Sequence, residues 1–175
     1  HHLADVMDTV NVPCILYNVP GRTGCTISPA NVERLSKHPN AWGIKEASGS
    51  ISYAAEIAHC LSDDFRMMSG NDDMVVPLMS LGAVGVISVW ADVAPQTVHD
   101  MCASFLAGDV EAARRAQIDN LELVHSLFCE VNPIPVKAAL AKMGMLEENY
   151  RRPLWPMADA DRERLYAAMR GAGLI

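Results

Sequence analysis

A lysine stands where the interior of a strand is expected. In GIKEASGS, residues 43–50, Lys45 follows Gly43-Ile44 and precedes Glu46 and a run of small residues. Alternation along a strand sends Lys45 and Glu46 to opposite faces, so they do not form a simple neighbouring ion pair. A strand interior disfavours an ammonium ion, and the neutral amine is the form that attacks a ketone to give a Schiff base. A structural lysine paired to a carboxylate fits the same letters, and spacing alone leaves both readings open. A second stretch, YNVPGRTG at 17–24, sets a phenol at a strand end, Pro20-Gly21 as a turn, and Arg22 and Thr23 on the loop beyond. A tyrosine can relay protons, and a guanidinium can clamp a carboxylate through two parallel hydrogen bonds. An ordinary turn with a surface arginine reads identically.

Both stretches need a scaffold that brings them together. Four short apolar segments read as strands, at 13–19, 42–47, 65–69 and 83–89, each followed by a polar or glycine-rich turn and then a helical pattern. Helix starts are marked by Ser28-Pro29, by Ser50 ahead of the Tyr53/Ala54/Ile57/Ala58/Leu61 stripe, and by Asp72 or Asp73 ahead of Met74. Apolar strands alternating with helices predict βαβ units and a parallel sheet covered on both faces, hence the α/β class. Beyond residue 89 only helices are expected, at 95–107, 109–130, 135–143 and 159–170, with Gly108, Gly144 and Gly171 at their ends. Leu3, Val6, Met7 and Val10 carry helical spacing with no cap, so the sequence is expected to open inside a helix, with His1-His2 either native or the end of a tag.

A complete (β/α)8 barrel takes about 250 residues, so four βα units and trailing helices predict the C-terminal half of a TIM barrel plus a C-terminal helical appendage. The division expected is 1–93 for the half-barrel and 94–175 for the final barrel helix and helical region. Lys45, near a strand's C-terminal end, would then project into the barrel mouth, where such enzymes assemble their sites.

Composition narrows the functional classes. Fourteen Lys and Arg against 21 Asp and Glu give a net charge of −7, and no basic cluster provides the footprint nucleic acid requires. Five scattered cysteines, Cys14, Cys25, Cys60, Cys102 and Cys129, predict buried, reduced thiols in the cytosol. The uncharged run at 74–91 has the length of a membrane span, but Pro77, Ser80, Gly82, Gly85 and Ser88 interrupt it, and a buried helix feeding a buried strand accounts for it better. No basic region leads into an apolar one at the start, and a cytoplasmic location is expected. His99 and Cys102, and His59 with Cys60, lack companions at zinc-like spacing, so no metal is expected.

Five motifs in order, YNVPGRTG, GIKEASG, SGND at 69–72, GAVGVISV at 82–89 and NPIPVKAAL at 132–140, closely resemble the dihydrodipicolinate synthase family. Its members are class I pyruvate aldolases related to N-acetylneuraminate lyase, and the resemblance runs through essentially the whole sequence. It implies that Lys45 forms an imine with pyruvate, which then condenses with aspartate 4-semialdehyde. It implies that Tyr17 shuttles protons, that Arg22 receives the semialdehyde carboxylate, and that the backbone at Gly70 and Ile87 lines the lysine pocket. It implies no cofactor, since the imine is itself the electron sink, and a homo-oligomer, tetrameric in the family. It further implies that a threonine-bearing loop and a second tyrosine of the family site lie in the first barrel half, outside these residues. Another pyruvate-dependent aldolase acting on a sugar acid, and a non-catalytic half-barrel module, are the competing readings.

Overall fold

The structure, a computed structural model, describes residues 1–175. Residues 1–87 and 88–175 form two compact units.

The first unit opens with helix α1 (His2–Val10) and is built on three parallel strands in the order β1 (Cys14–Asn18), β2 (Ala41–Glu46), β3 (Arg66–Ser69). Leu16, Ile44 and Met67 lie on one face of this sheet and are buried. Helices α3 (Pro29–Ser36), α4 (Ile51–Ile57) and α5 (Val75–Ser80) follow the strands, with α3 packed on β2 and α5 on β3. Two of the three expected caps form: Ser28 Oγ accepts from the Asn31 amide at 3.4 Å and Ser50 Oγ from the Tyr53 amide at 3.1 Å, whereas Asp72 and Asp73 lie within a 3-10 turn (Asp72–Met74) and α5 starts after Met74, whose side chain makes no capping bond. Between β1 and α3 the expected turn is a single helical turn, α2 (Pro20–Thr23). It opens on proline and stops at Gly24, whose φ of 66° lies where side chains other than glycine are disfavoured.

The segment at 83–89 does not become a fourth buried strand. It follows the edge of β3 through bonds from the Val84 amide to Met67 O, from the Ser69 amide to Gly85 O, and from the Ile87 amide to Ser69 O, each 2.9 Å. Only Ser69 and Val86 pair as a bridge, and Val84 and Ile87 are exposed. Gly82 and Gly85 weaken extended pairing, and no strand lies on its other side to complete a ladder.

The second unit is helical: α6 (Trp90–Val93), α7 (Pro95–Leu106), α8 (Val110–Asp119), α9 (Leu121–Ser126), α10 (Ile134–Lys142) and α11 (Asp159–Gly171). Trp90, Met101, Leu127, Leu165 and Met169 fill its interior. The single helix expected over 109–130 is broken at Asn120, which leaves helical geometry and turns its Nδ2 back to donate to Ala116 O at 2.9 Å. None of the five cysteines is fully buried, and Cys25 is exposed, correcting the expectation of buried thiols. No helix is long and apolar enough to cross a membrane.

Residues 144–158 carry no helix or strand and are held by side chains. Arg162 donates to both carboxylate oxygens of Glu148, at 2.6 and 2.7 Å, and Tyr150 OH donates to Glu148 at 3.0 Å. The Arg162 hydrogen bonds, ahead of other influences, hold the Glu148 carboxyl below its ordinary value of 4.5. A depressed folded pKa contributes stability that is present above the unfolded value and is lost as pH falls through the folded one. Glu148→Gln should therefore lower stability by about 2 kcal/mol near pH 7 in urea unfolding, the worth of a partly buried charge-assisted pair. The variant and parent curves should converge as the pH is lowered below 4.5; a gap that persists unchanged into acid would show that the pair contributes nothing through its charge.

Candidate active site

Strand register places two of the expected chemical groups together. Tyr17 pairs with Lys45 across β1 and β2, and Lys45 pairs with Met68 on β3, close to the C-terminal ends of all three strands. Their side chains stand on the sheet face opposite the helices, where Lys45 Nζ lies 4.2 Å from the centroid of the Tyr17 ring. This face is open: Tyr17 is 44% exposed and Lys45 only half-buried. The enclosed lysine expected from the apolar strand pattern is thus a half-exposed one, because three strands present this face to solvent.

The residue that follows β3, Gly70, can only be small. The Gly70 amide donates to Glu46 O at 2.7 Å, which draws the chain after β3 against β2. A β-carbon at position 70 would lie 2.7 Å from Ala47 Cβ and 3.1 Å from Lys45 Cε, so any side chain here would crowd the lysine stem. Ile87 is tied by its amide to Ser69, one residue before Gly70. Arg22 stands exposed on α2, five residues beyond Tyr17, and makes no hydrogen bond or ion pair with Tyr17 or Lys45.

The opposite face of the same strand ends holds a polar cluster not anticipated from the sequence. Asn18 and Glu46, each next in sequence to Tyr17 and Lys45, are paired in register and are both buried. Asn18 Nδ2 donates to Glu46 Oε2 at 2.7 Å, the Ser48 amide donates to Glu46 Oε1 at 2.6 Å, and the Ile27 amide donates to Asn18 Oδ1 at 3.0 Å. Tyr53 OH donates to Ile27 O at 2.6 Å. Burial, and then the nearby Glu46 charge, push the Tyr53 phenol well above its ordinary value, which keeps it a donor. The available signal was alternation itself: polar residues at two helix-facing strand positions demand partners.

A nucleophilic amine beside a phenol, at the C-terminal end of parallel strands and free of bulk at Gly70, can add to a carbonyl compound while a neighbouring hydroxyl moves protons. The sequence model of the dihydrodipicolinate synthetase family matches residues 1–172. Among curated relatives, the 4-hydroxy-tetrahydrodipicolinate synthases of Alcanivorax borkumensis and Alkaliphilus oremlandii are 47% and 42% identical over 174 residues. These alignments cover 99% of this chain and 59% and 60% of the relatives, so the chain spans about three-fifths of their length. Among solved structures, the dihydrodipicolinate synthase of Acinetobacter baumannii, complexed with pyruvate, superposes with a TM-score of 0.94 at 41% identity, covering 99% of this chain and 60% of that one. The Thermotoga maritima enzyme does so at 0.96 and 36%, with the same coverage.

Proposed function

The chain belongs to the dihydrodipicolinate synthetase family, and from that membership we propose that it carries the imine-forming part of a lyase that condenses pyruvate with aspartate 4-semialdehyde. The observation that supports this best is the Lys45 amine held 4.2 Å from the Tyr17 ring centroid, with Gly70 clearing its stem. In this reading β1, β2, β3 and the segment at 83–89 are four consecutive units of a (β/α)8 barrel.

Lys45 adds through its nitrogen to the ketone carbon of pyruvate, and loss of water gives an iminium. Loss of a methyl proton then leaves an enamine carbon, which attacks the aldehyde of the semialdehyde and forms the new carbon–carbon bond. Ring closure by the semialdehyde's own amine onto the imine carbon frees Lys45 and yields 4-hydroxy-tetrahydrodipicolinate. Tyr17 carries protons to and from these centres, and Arg22 receives the semialdehyde carboxylate in a two-pronged grip. The backbone at Gly70 and Ile87 borders the pyruvate. The iminium is the electron sink, so this route draws on the chain's own lysine. A cytoplasmic homo-oligomer, tetrameric as in the resembled family, belongs to the same reading. The names of the relatives favour this substrate over a sugar acid.

The test is incubation with pyruvate and borohydride followed by peptide mass mapping. A reduced pyruvyl adduct on the peptide containing Lys45 is expected, and its absence under saturating pyruvate would end the imine reading for this chain. Substrate choice is tested separately. Arg22→Ala should lower condensation with aspartate 4-semialdehyde on the order of a hundredfold, the loss of a two-bond charged contact, while pyruvate trapping stays near that of the parent. Unchanged condensation would remove Arg22 as the carboxylate receptor.

A further inference from the structure

Tyr17 and Lys45 face one side of the sheet, and the two residues that follow them, Asn18 and Glu46, pair on the other. We propose that the buried Asn18–Glu46 pair is a positioning clamp that locks the two site loops, 19–28 and 47–50, to the strand ends, and so sets Tyr17, Arg22 and Lys45 relative to one another. Its connections run both ways. Glu46 Oε1 takes the Ser48 amide at the start of one loop, and Asn18 Oδ1 takes the Ile27 amide at the end of the other. Asn18 Nδ2 joins the two halves through Glu46 Oε2 at 2.7 Å. Ile27 is gripped at its carbonyl as well, by Tyr53 from α4, which Ser50 caps at the end of the second loop.

The chemistry of the pair is directional, and this makes the clamp testable with substitutions that scarcely change shape. Glu46 accepts twice, while Asn18 donates once and accepts once. Glutamine at 46 has one acceptor for two donors. Asn18 cannot turn its amide to compensate, because its oxygen is already committed to Ile27. Aspartate at 18 sets two carboxylates against each other. The double exchange Asn18→Asp with Glu46→Gln satisfies every group again: the new amide oxygen accepts from Ser48, its nitrogen donates to the new carboxylate, and the other carboxylate oxygen accepts from Ile27.

The experiment compares the parent chain, both single variants and the double variant, reading amide hydrogen exchange at Ile27 and Ser48 by NMR and the rate of borohydride-trapped pyruvate on Lys45. The second readout rests on the imine reading; the first does not. Each single change should speed exchange at both amides about tenfold or more, the worth of a buried hydrogen bond left unmade. Each should also slow adduct formation about tenfold through misplacement of the amine. The double variant should return both towards parent values, a coupling that a merely space-filling pair would not produce. Single variants that exchange like the parent, or a double variant worse than either, would overturn the clamp. If the parent itself forms no adduct, the imine reading fails alone and the exchange pattern still decides the clamp. Should a single variant not fold, recovery of folding by the double variant supports the clamp, and failure to recover overturns it.

Discussion

Lys45→Ala should abolish the borohydride-trapped pyruvyl adduct while leaving a folded protein. The side chain is half-buried on an open sheet face, and its recorded partner is the Tyr17 ring. A cation over an aromatic ring at such a site contributes only about 0.5–1 kcal/mol, so melting should shift by a few degrees at most, about 2–4 °C per kcal/mol for a protein of this size. Lys45→Arg sharpens the point. It keeps a cation that can lie on the same ring, yet a guanidinium stays protonated and cannot form the imine. Both variants should give no adduct, and both should melt near the parent. The other lysines are otherwise engaged: Lys37 pairs with Glu33 at 3.1 Å, Lys137 donates to Asn149 O, and Lys142 sits over Tyr166. An adduct that survived in Lys45→Ala and mapped to one of these would show trapping without a built site, and would sink the assignment.

How much of this was legible in advance follows from what the physics makes local. Lys45 and Tyr17 announce themselves because each closes a short apolar run, and alternation then tells which neighbours share their face. That they stand side by side is a matter of register, which a slip of one residue would reverse, and nothing within either strand specifies its partner. The caps at Ser28 and Ser50 were legible because a capping side chain reaches only three residues ahead. The break at Asn120 was not, since an amide returning to Ala116 competes with the helix through a bond no hydrophobic pattern records. The segment at 83–89 reads as a strand by composition, but pairing depends on what lies beside it, and there only one edge is met. Residues 144–158 carry no local pattern because their hold comes from Arg162, 14 positions beyond Glu148. Asn18 and Glu46 are hard to read in the sequence because polar letters at a strand end suggest solvent; here they face the helix layer and satisfy each other.

The second large effect is expected from adding one methyl group. Glycines are often required for backbone freedom, but the backbone at Gly70 does not adopt a left-handed angle, and the requirement there is space. The new β-carbon of Gly70→Ala would fall 2.7 Å from Ala47 Cβ and 3.1 Å from both Glu46 O and Lys45 Cε. Two of these neighbours, Ala47 Cβ and Glu46 O, are fixed to the backbone of β2 and the residue after it, so they cannot swing aside. Either the end of β3 retreats from β2, stretching the 2.7 Å bond from the Gly70 amide to Glu46 O, or the lysine stem is pushed aside. Overpacking of this kind costs about 1–3 kcal/mol, and an amine displaced by about 1 Å can lose on the order of a hundredfold in rate. Gly70→Ala should therefore lower the melting temperature and slow adduct formation by one to two powers of ten, about the range those two effects span. Gly171→Ala provides the contrast. A β-carbon there meets nothing within 4 Å, and the residue closes helix α11, so the same methyl should be neutral or raise stability by up to about 1 kcal/mol. If Gly70→Ala melts and traps pyruvate like the parent, the close approach of the β3 end to the Lys45 stem is not a feature of the protein in solution. The lysine's placement would then have to rest on the Tyr17 ring and the strand register alone.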